Sequence, residues 1–137
     1  MRQFRLRFGA GLHFLIAIGH ITCLFFLEEA FNAYGILNEM TTLCFGQKWL
    51  LYLVTIGLVI AFALAGLYAL SASDDIIKLP LQRLVIITII GVYSIRTMVG
   101  IYWLLGEFSY LQFFSTLVPA ILVWCYWPGL KTKKIKQ

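Results

Sequence analysis

Four long apolar stretches restrict the fold of this chain more than any other feature of the sequence. They cover residues 8–27, 49–70, 84–105 and 108–127. A helix needs about 20 mostly apolar residues to cross the hydrocarbon core of a bilayer. The links between the stretches are too short for a soluble domain. The sequence therefore predicts an all-α polytopic membrane protein, with residues 1–137 forming a single four-helix transmembrane bundle.

The overall composition excludes several other classes of protein. Of 137 residues, 61% are hydrophobic and 12% are charged, and the mean hydropathy is +0.89. A soluble domain is about half apolar and about a quarter charged. The chain is therefore not a water-soluble globule, a disordered segment or a disulfide scaffold. We expect membrane lipids as partners and no nucleic acid.

The charged residues outside the spans are divided between the two sides of a four-span protein. One side carries nine cations, namely Arg2, Arg5, Arg7, Lys78, Arg83, Lys131, Lys133, Lys134 and Lys136. The other side carries Lys48 together with Glu28, Glu29, Glu39 and Glu107. Positive residues are retained on the cytoplasmic side of a membrane. This bias predicts that both termini of the membrane protein lie in the cytoplasm.

Aromatic residues near the span ends fit the same orientation. Rings with one polar atom prefer the interface between lipid and water. We expect the cytoplasmic interface to be marked by Tyr68, Trp124, Tyr126 and Trp127.

The second span carries a small residue at every fourth position, namely Gly57, Ala61, Ala65 and Ala69. Small residues on one helix face let two backbones approach closely in lipid. We expect this stripe to pack against another helix, within the monomer or across a homodimer. Pro119 is expected to kink the fourth span. The short link at Gly106 makes the third and fourth spans antiparallel neighbours.

The outer loop, residues 28–48, is too apolar for a solvated loop. We expect it to continue the first helix for a turn or two. We expect a short helix at the membrane surface to follow and to cover the part of the bundle beneath it.

Arg96 lies near the middle of the third span. Arginine keeps its proton in proteins, and a charge at the centre of a membrane helix costs about 2.5 kcal/mol or more. Arg96 is therefore expected to face the bundle interior or a wet cavity. Two interpretations stay open, a functional site or a structural ion pair.

The candidate partners of Arg96 lie in the outer halves of the helices. His20 is at a similar depth, and Tyr93 shares the helix face of Arg96. The rim of the site is expected to include Glu28, Glu29, Tyr34 and Gln112. Such a pocket suits an amphiphile with an anionic or carbonyl head, such as a lipid, an isoprenoid or a quinone.

The sequence predicts neither a metal site nor a thiol-redox site. His13 and His20 are about 10 Å apart at the helical rise and cannot share one metal ion. The three cysteines form no C-x-x-C pair. No cofactor is predicted, although a quinone fits the pocket.

Several functions therefore stay open. The leading hypothesis is a ligand-binding protein or an accessory subunit of a larger membrane complex. A second is a membrane oxidoreductase or transferase that uses His20 and Glu28 for proton transfer near a quinone. A third is a small transporter with Glu28 or Glu29 as the coupling acid. The catalytic residues, if any, are unknown.

Three segments resemble a group of small, uncharacterised bacterial four-span membrane proteins. They are a second helix that starts at Thr55-Ile56-Gly57 and ends in Tyr68-Ala69-Leu70-Ser71, the link Leu79-Pro80-Leu81-Gln82-Arg83, and Tyr93-Ser94-Ile95-Arg96 in the third helix. In size and topology the chain is also similar to DoxX-like proteins, some of which are linked to quinone-coupled sulfur oxidation. That resemblance implies a component of a membrane oxidoreductase. The missing cysteine pair argues against thiol oxidation.

Overall fold

The computed structural model describes residues 1–106 and 108–130, and all regular structure within them is helical. Six α-helices follow one another in this described part of the chain. They are α1 (Arg2–Cys23), α2 (Leu27–Ala33), α3 (Leu37–Leu43), α4 (Lys48–Ala72), α5 (Gln82–Gly106) and α6 (Tyr110–Tyr126). Short 3₁₀ turns follow α1 and α6, at Leu24–Phe26 and Trp127–Leu130.

Among the described residues, four helical segments are long and apolar enough to cross a membrane. They are Arg2–Ala33, Lys48–Ala72, Gln82–Gly106 and Tyr110–Leu130. The prediction of an all-α chain with four such helices is therefore confirmed. Part of the charge pattern used for the orientation, Glu107 and the four lysines from Lys131 to Lys136, lies outside the described residues.

Contacts divide the chain into two compact units, and each is described by itself. The first unit contains Met1–Leu12 and the described residues from Ala65 onward. It therefore holds the start of α1, the end of α4, and all of α5 and α6. The second unit is His13–Leu64.

The core of the first unit is built from side chains of all four helices. Leu6, Ile86, Leu122 and Tyr126 are fully buried. The Tyr126 hydroxyl donates a 2.9 Å hydrogen bond to the carbonyl of Ala65 in α4. The expectation that Tyr126 marks the lipid–water interface is thus corrected. Because its polar atom finds a backbone acceptor, the ring can be buried at no loss of hydrogen bonding.

Helices α5 and α6 pack closely at Gly100. A Cβ atom at this position would lie 2.8 Å from Cγ2 and 3.0 Å from Cβ of Thr116. The two helices can approach this closely only because Gly100 has no side chain. The helix α6 runs continuously through Pro119.

The small-residue stripe of α4 is buried over one half only. Ala65 and Ala69 are buried in the first unit, with 8% and 0% of their surface exposed. Gly57 and Ala61 are exposed, and a Cβ at Gly57 would meet no atom within 4 Å. Within the single chain Ala65 and Ala69 are packed, and the packing of Gly57 and Ala61 against a second copy stays a prediction.

In the second unit the loop between the first two spans folds into α2 and α3. Leu27 of α2, Cys44 directly after α3 and Leu51 of α4 form a small buried cluster. Lys48 Nζ forms a 2.7 Å ion pair with Glu28. The helical part of the loop prediction is confirmed, while its position at a membrane surface stays a prediction.

Three N-terminal arginines join the start of α1 to the rest of the first unit. Arg2 donates to the carbonyl of Ala72 at 3.3 Å. Arg5 donates to the carbonyl of Trp124 and lies 3.8 Å from the centre of its ring. Arg7 binds both carboxylate oxygens of Asp75, at 2.8 and 3.0 Å from Nε. We call these three contacts the arginine clasp.

Asp75 is the acidic member of the clasp. Its carboxylate accepts hydrogen bonds from Arg7 and from the Ser73 hydroxyl. These two donors, the Arg7 one first, lower the pKa of Asp75 from 3.8 to about 2. The carboxylate is thus held in its charged form by contacts between distant parts of the chain.

Candidate functional site

Arg96 lies in the middle of α5, and its side chain is exposed. Its Nη2 atom donates a 3.1 Å hydrogen bond to the hydroxyl of Ser115 in α6. The guanidinium therefore joins the two helices through a neutral partner.

The stretch of α6 that faces Arg96 is unusually polar for an apolar helix. Pro119 has no N–H, so the carbonyl of Ser115, one turn earlier, has no donor from the helix. The hydroxyls of Ser115 and Thr116 both donate to the carbonyl of Gln112, at 3.3 and 2.8 Å. The Arg96 site is defined here as Arg96, Gln112 and Ser115.

The charge of Arg96 is not balanced by a carboxylate in the described part of the chain. The two salt bridges found there join Arg7 to Asp75 and Lys48 to Glu28. Arg96 donates to a hydroxyl instead. Within residues 1–106 and 108–130, the ion-pair interpretation of Arg96 therefore has no observed acidic partner.

Tyr93 belongs to the same helix as Arg96, three residues earlier. Its side chain is half-buried in the first unit. Residues three apart in a helix lie on the same side, so Tyr93 and Arg96 share a face as the sequence predicts.

His20 lies in the second unit, where it packs on α4. Its Nδ1 is 2.8 Å from the carbonyl of Ile16, one turn earlier. Because a carbonyl only accepts, this contact assigns the proton to Nδ1 and leaves Nε2 as an acceptor in the neutral ring. The ring centre is 4.9 Å from that of Phe62, and the buried His13 ring is 6.2 Å from the same phenyl ring. His20 thus has a packing role in addition to any binding role.

The remaining predicted rim residues are also in the second unit. Glu28 is paired with Lys48, while Glu29 and Tyr34 are exposed. The predicted pocket is therefore made of residues from both units. The first contributes Arg96, Tyr93 and Gln112, and the second contributes His20, Glu28, Glu29 and Tyr34. Their assembly into one pocket stays a prediction.

The direct partner of Arg96 was not identified from the sequence. The signal was available in the short link between α5 and α6. Arg96 lies eleven residues before Glu107 and Ser115 eight residues after it, so an antiparallel hairpin brings them to similar heights.

The three cysteines and the potential metal ligands form no common group in the described residues. No group of three metal-binding side chains occurs among them. All three cysteines are free, with Cys44 and Cys125 buried and Cys23 half-buried. The buried thiols fill apolar space.

The fold and the site together define a class of protein. It is an all-helical protein with four helices able to cross a membrane, and it carries a charged side chain in the middle of one of them. No protein-family model, curated protein or solved structure matches the chain.

Proposed function

We propose that this is a bacterial inner-membrane protein, with both termini in the cytoplasm, that binds a lipid-like or quinone-like molecule at the Arg96 site. One observation carries the proposal. The guanidinium of Arg96 is bonded to a neutral hydroxyl and to no described carboxylate. A charge at this depth in a membrane helix is a functional-site hypothesis by default.

The chemistry of arginine favours an anionic or carbonyl head. A guanidinium has five N–H donors in a rigid fork, and Ser115 accepts from one of its nitrogen atoms. The remaining donors match the paired oxygens of a phosphate or carboxylate, or a quinone carbonyl. Gln112 adds an amide that can donate or accept. The site can therefore hold a polar head away from water.

The surface beside Arg96 suits the apolar part of such a molecule. Val92 and Val99 lie one turn before and one turn after it on the same side of α5 and are 58% and 44% exposed. Apolar side chains next to one charged donor match an amphiphile better than a small polar solute. This favours a lipid-like or quinone-like ligand.

The test is to count the molecules that remain bound on purification. We would purify the wild-type chain, Arg96→Leu, Arg96→Lys and the control Thr88→Leu in mild detergent. Mass spectrometry then gives lipids and quinones per mole of protein. Thr88 is exposed on the same helix, so its replacement repeats the gain in apolar surface away from the site.

We expect Arg96→Leu to lose the bound molecule by about tenfold or more, because hydrogen bonds to a charged group contribute about 1.5–3 kcal/mol. Arg96→Lys should retain part of the binding and Thr88→Leu all of it. Unchanged retention by a folded Arg96→Leu variant, judged by helix content and thermal unfolding, would remove the proposal. A retained quinone would direct the next experiments to redox chemistry, and a retained phospholipid would not.

A further inference from the structure

A groove of about 450 Å³ lies at the start of α5. It is lined by Leu81, Gln82, Arg83, Leu84 and Ile87. Three of these side chains are apolar and one is a cation. Leu81, Leu84 and Ile87 are between 50% and 72% exposed, so the groove is an open apolar surface beside a charge.

The loop that leads into the groove is held in place by α4. The hydroxyl of Ser71 accepts from the backbone N–H of Leu79 at 2.9 Å and donates to the carbonyl of Ile77 at 3.0 Å. The Tyr68 hydroxyl donates to the carbonyl of Pro80 at 3.2 Å. The groove wall at Leu81 is therefore part of a braced turn. Leu81 itself has a φ of +55°, a conformation that is unfavourable for leucine by about 1–2 kcal/mol.

Arg83 differs from the other arginines of the first unit in its contacts. Arg2, Arg5 and Arg7 are each bonded to protein atoms in the clasp. Arg83 is exposed and makes no hydrogen bond or ion pair within the described residues. Its charge is thus available to a partner outside the chain.

The apolar wall continues along α5 in the direction of the span. Leu84, Ile87 and Gly91 follow the spacing of one helix face. A Cβ at Gly91 would meet no atom within 4 Å. From Arg83 to Gly91 the helix rises about 12 Å. This surface is long enough to contact the upper half of an acyl chain.

We propose that this groove binds an anionic phospholipid. The headgroup phosphate pairs with Arg83, and one acyl chain lies along Leu84 and Ile87. Charge complementarity selects the anionic head, and the position of Arg83 at the end of a helix able to span a membrane places it at headgroup depth. A free phosphate would use the charge but not the apolar wall.

This site is separate from the Arg96 site. Arg96 lies thirteen residues after Arg83 in α5, a rise of about 20 Å. The inference therefore does not rest on the proposed function, and each can fail alone.

The experiment uses the full chain in detergent and native mass spectrometry. The probes are dioleoyl phosphatidylglycerol, which is anionic, and dioleoyl phosphatidylcholine, which has the same chains and no net charge. The variants are Arg83→Gln, which removes the charge, and Ile87→Ala, which shortens the wall. Lys48→Gln is the matched control, because it removes an exposed cation outside both the groove and the Arg96 site.

We expect the wild-type chain to prefer phosphatidylglycerol by about fivefold, since one cation near a lipid surface contributes about 1 kcal/mol. Arg83→Gln should abolish the preference for phosphatidylglycerol. Ile87→Ala should weaken the binding of both lipids. Lys48→Gln should leave the preference unchanged. Inorganic phosphate should not compete.

Three results would overturn the inference. The first is an Arg83→Gln variant with the full preference for phosphatidylglycerol. The second is competition by inorganic phosphate at equal strength in both the wild type and Ile87→Ala, which would make the groove a simple anion site. The third is a dimer that disappears in both groove variants while lipid binding is unchanged, which would assign the groove to a second copy of the chain.

Discussion

The close packing of α5 on α6 gives a sharp prediction for Gly100→Ala. A Cβ here would lie 2.8 Å from Cγ2 and 3.0 Å from Cβ of Thr116, and closer still to its hydroxyl oxygen. Ordinary contacts between carbon atoms are about 3.5–4.0 Å. The helices must therefore separate by roughly 0.5–1 Å at this point, or Thr116 must change its rotamer and give up its bond to Gln112.

The magnitude follows from two opposing effects. Inserting a methyl group into a well-packed contact costs about 1–3 kcal/mol. Replacing glycine by alanine inside a helix returns up to about 1 kcal/mol. We expect Gly100→Ala to lower the free energy of unfolding by about 1–2 kcal/mol.

The same helix supplies a matched control at Gly91. A Cβ at Gly91 would meet no atom within 4 Å, so Gly91→Ala keeps the gain in helix propensity without the clash. It should leave stability unchanged or raise it by up to about 1 kcal/mol. Thr116→Ala should partly rescue Gly100→Ala, because it removes the two atoms that approach most closely.

The assay is unfolding in mixed micelles, followed by helix content as the fraction of denaturing detergent rises. Ligand retention should fall as well in Gly100→Ala, because Ser115, next to Thr116, holds Arg96. Equal stability of Gly100→Ala and Gly91→Ala would refute the close approach of α5 and α6. A double variant no more stable than Gly100→Ala alone would show that Thr116 is not the obstacle.

Two further predictions concern the first unit. The pKa of Asp75 is about 2 against an ordinary 3.8, so its contribution to stability is complete above pH 3.8 and is lost as the pH falls through 2. Thermal unfolding between pH 5 and pH 2 should show this loss in the wild type, whereas Asp75→Asn should start lower and lack this acid-dependent step. Tyr126→Phe should lower the free energy of unfolding by about 0.5–1.5 kcal/mol, because it removes the donor to the Ala65 carbonyl and keeps the ring. A Tyr126→Phe variant as stable as the wild type would assign the stability of this contact to ring packing alone.

The helices could be predicted from the sequence, because an unbroken apolar stretch of sufficient length allows few other structures. The faces that pack could not. Lipid and protein interior are both apolar, so hydropathy does not show which side of a membrane helix meets another helix. Ala65 and Gly57 occupy equivalent positions in the same stripe, yet the structure buries the first and exposes the second.

Hydrogen bonds and ion pairs between distant parts of the chain could not be predicted from the sequence either. Arg7 and Asp75 are 68 residues apart, and nothing in their local sequence connects them. The sequence predicts an acid or a histidine as the partner of Arg96, whereas the observed hydrogen bond is to Ser115. A hydroxyl carries no charge pattern that marks it as a partner. Only the geometry of the α5–α6 hairpin makes the pairing visible.

The arginine clasp also has a consequence for the order in which the protein assembles. Arg5 bonds to Trp124, which is 119 residues further along the chain. At about 5–20 residues per second, the ribosome needs roughly 6–24 s after adding Arg5 to reach Trp124. Under the proposed orientation, Arg5 first retains the N-terminus in the cytoplasm as a free charge. The same side chain can bind Trp124 only after the last helix has been inserted. In a nascent chain that ends before Trp124, the start of α1 therefore lacks this contact.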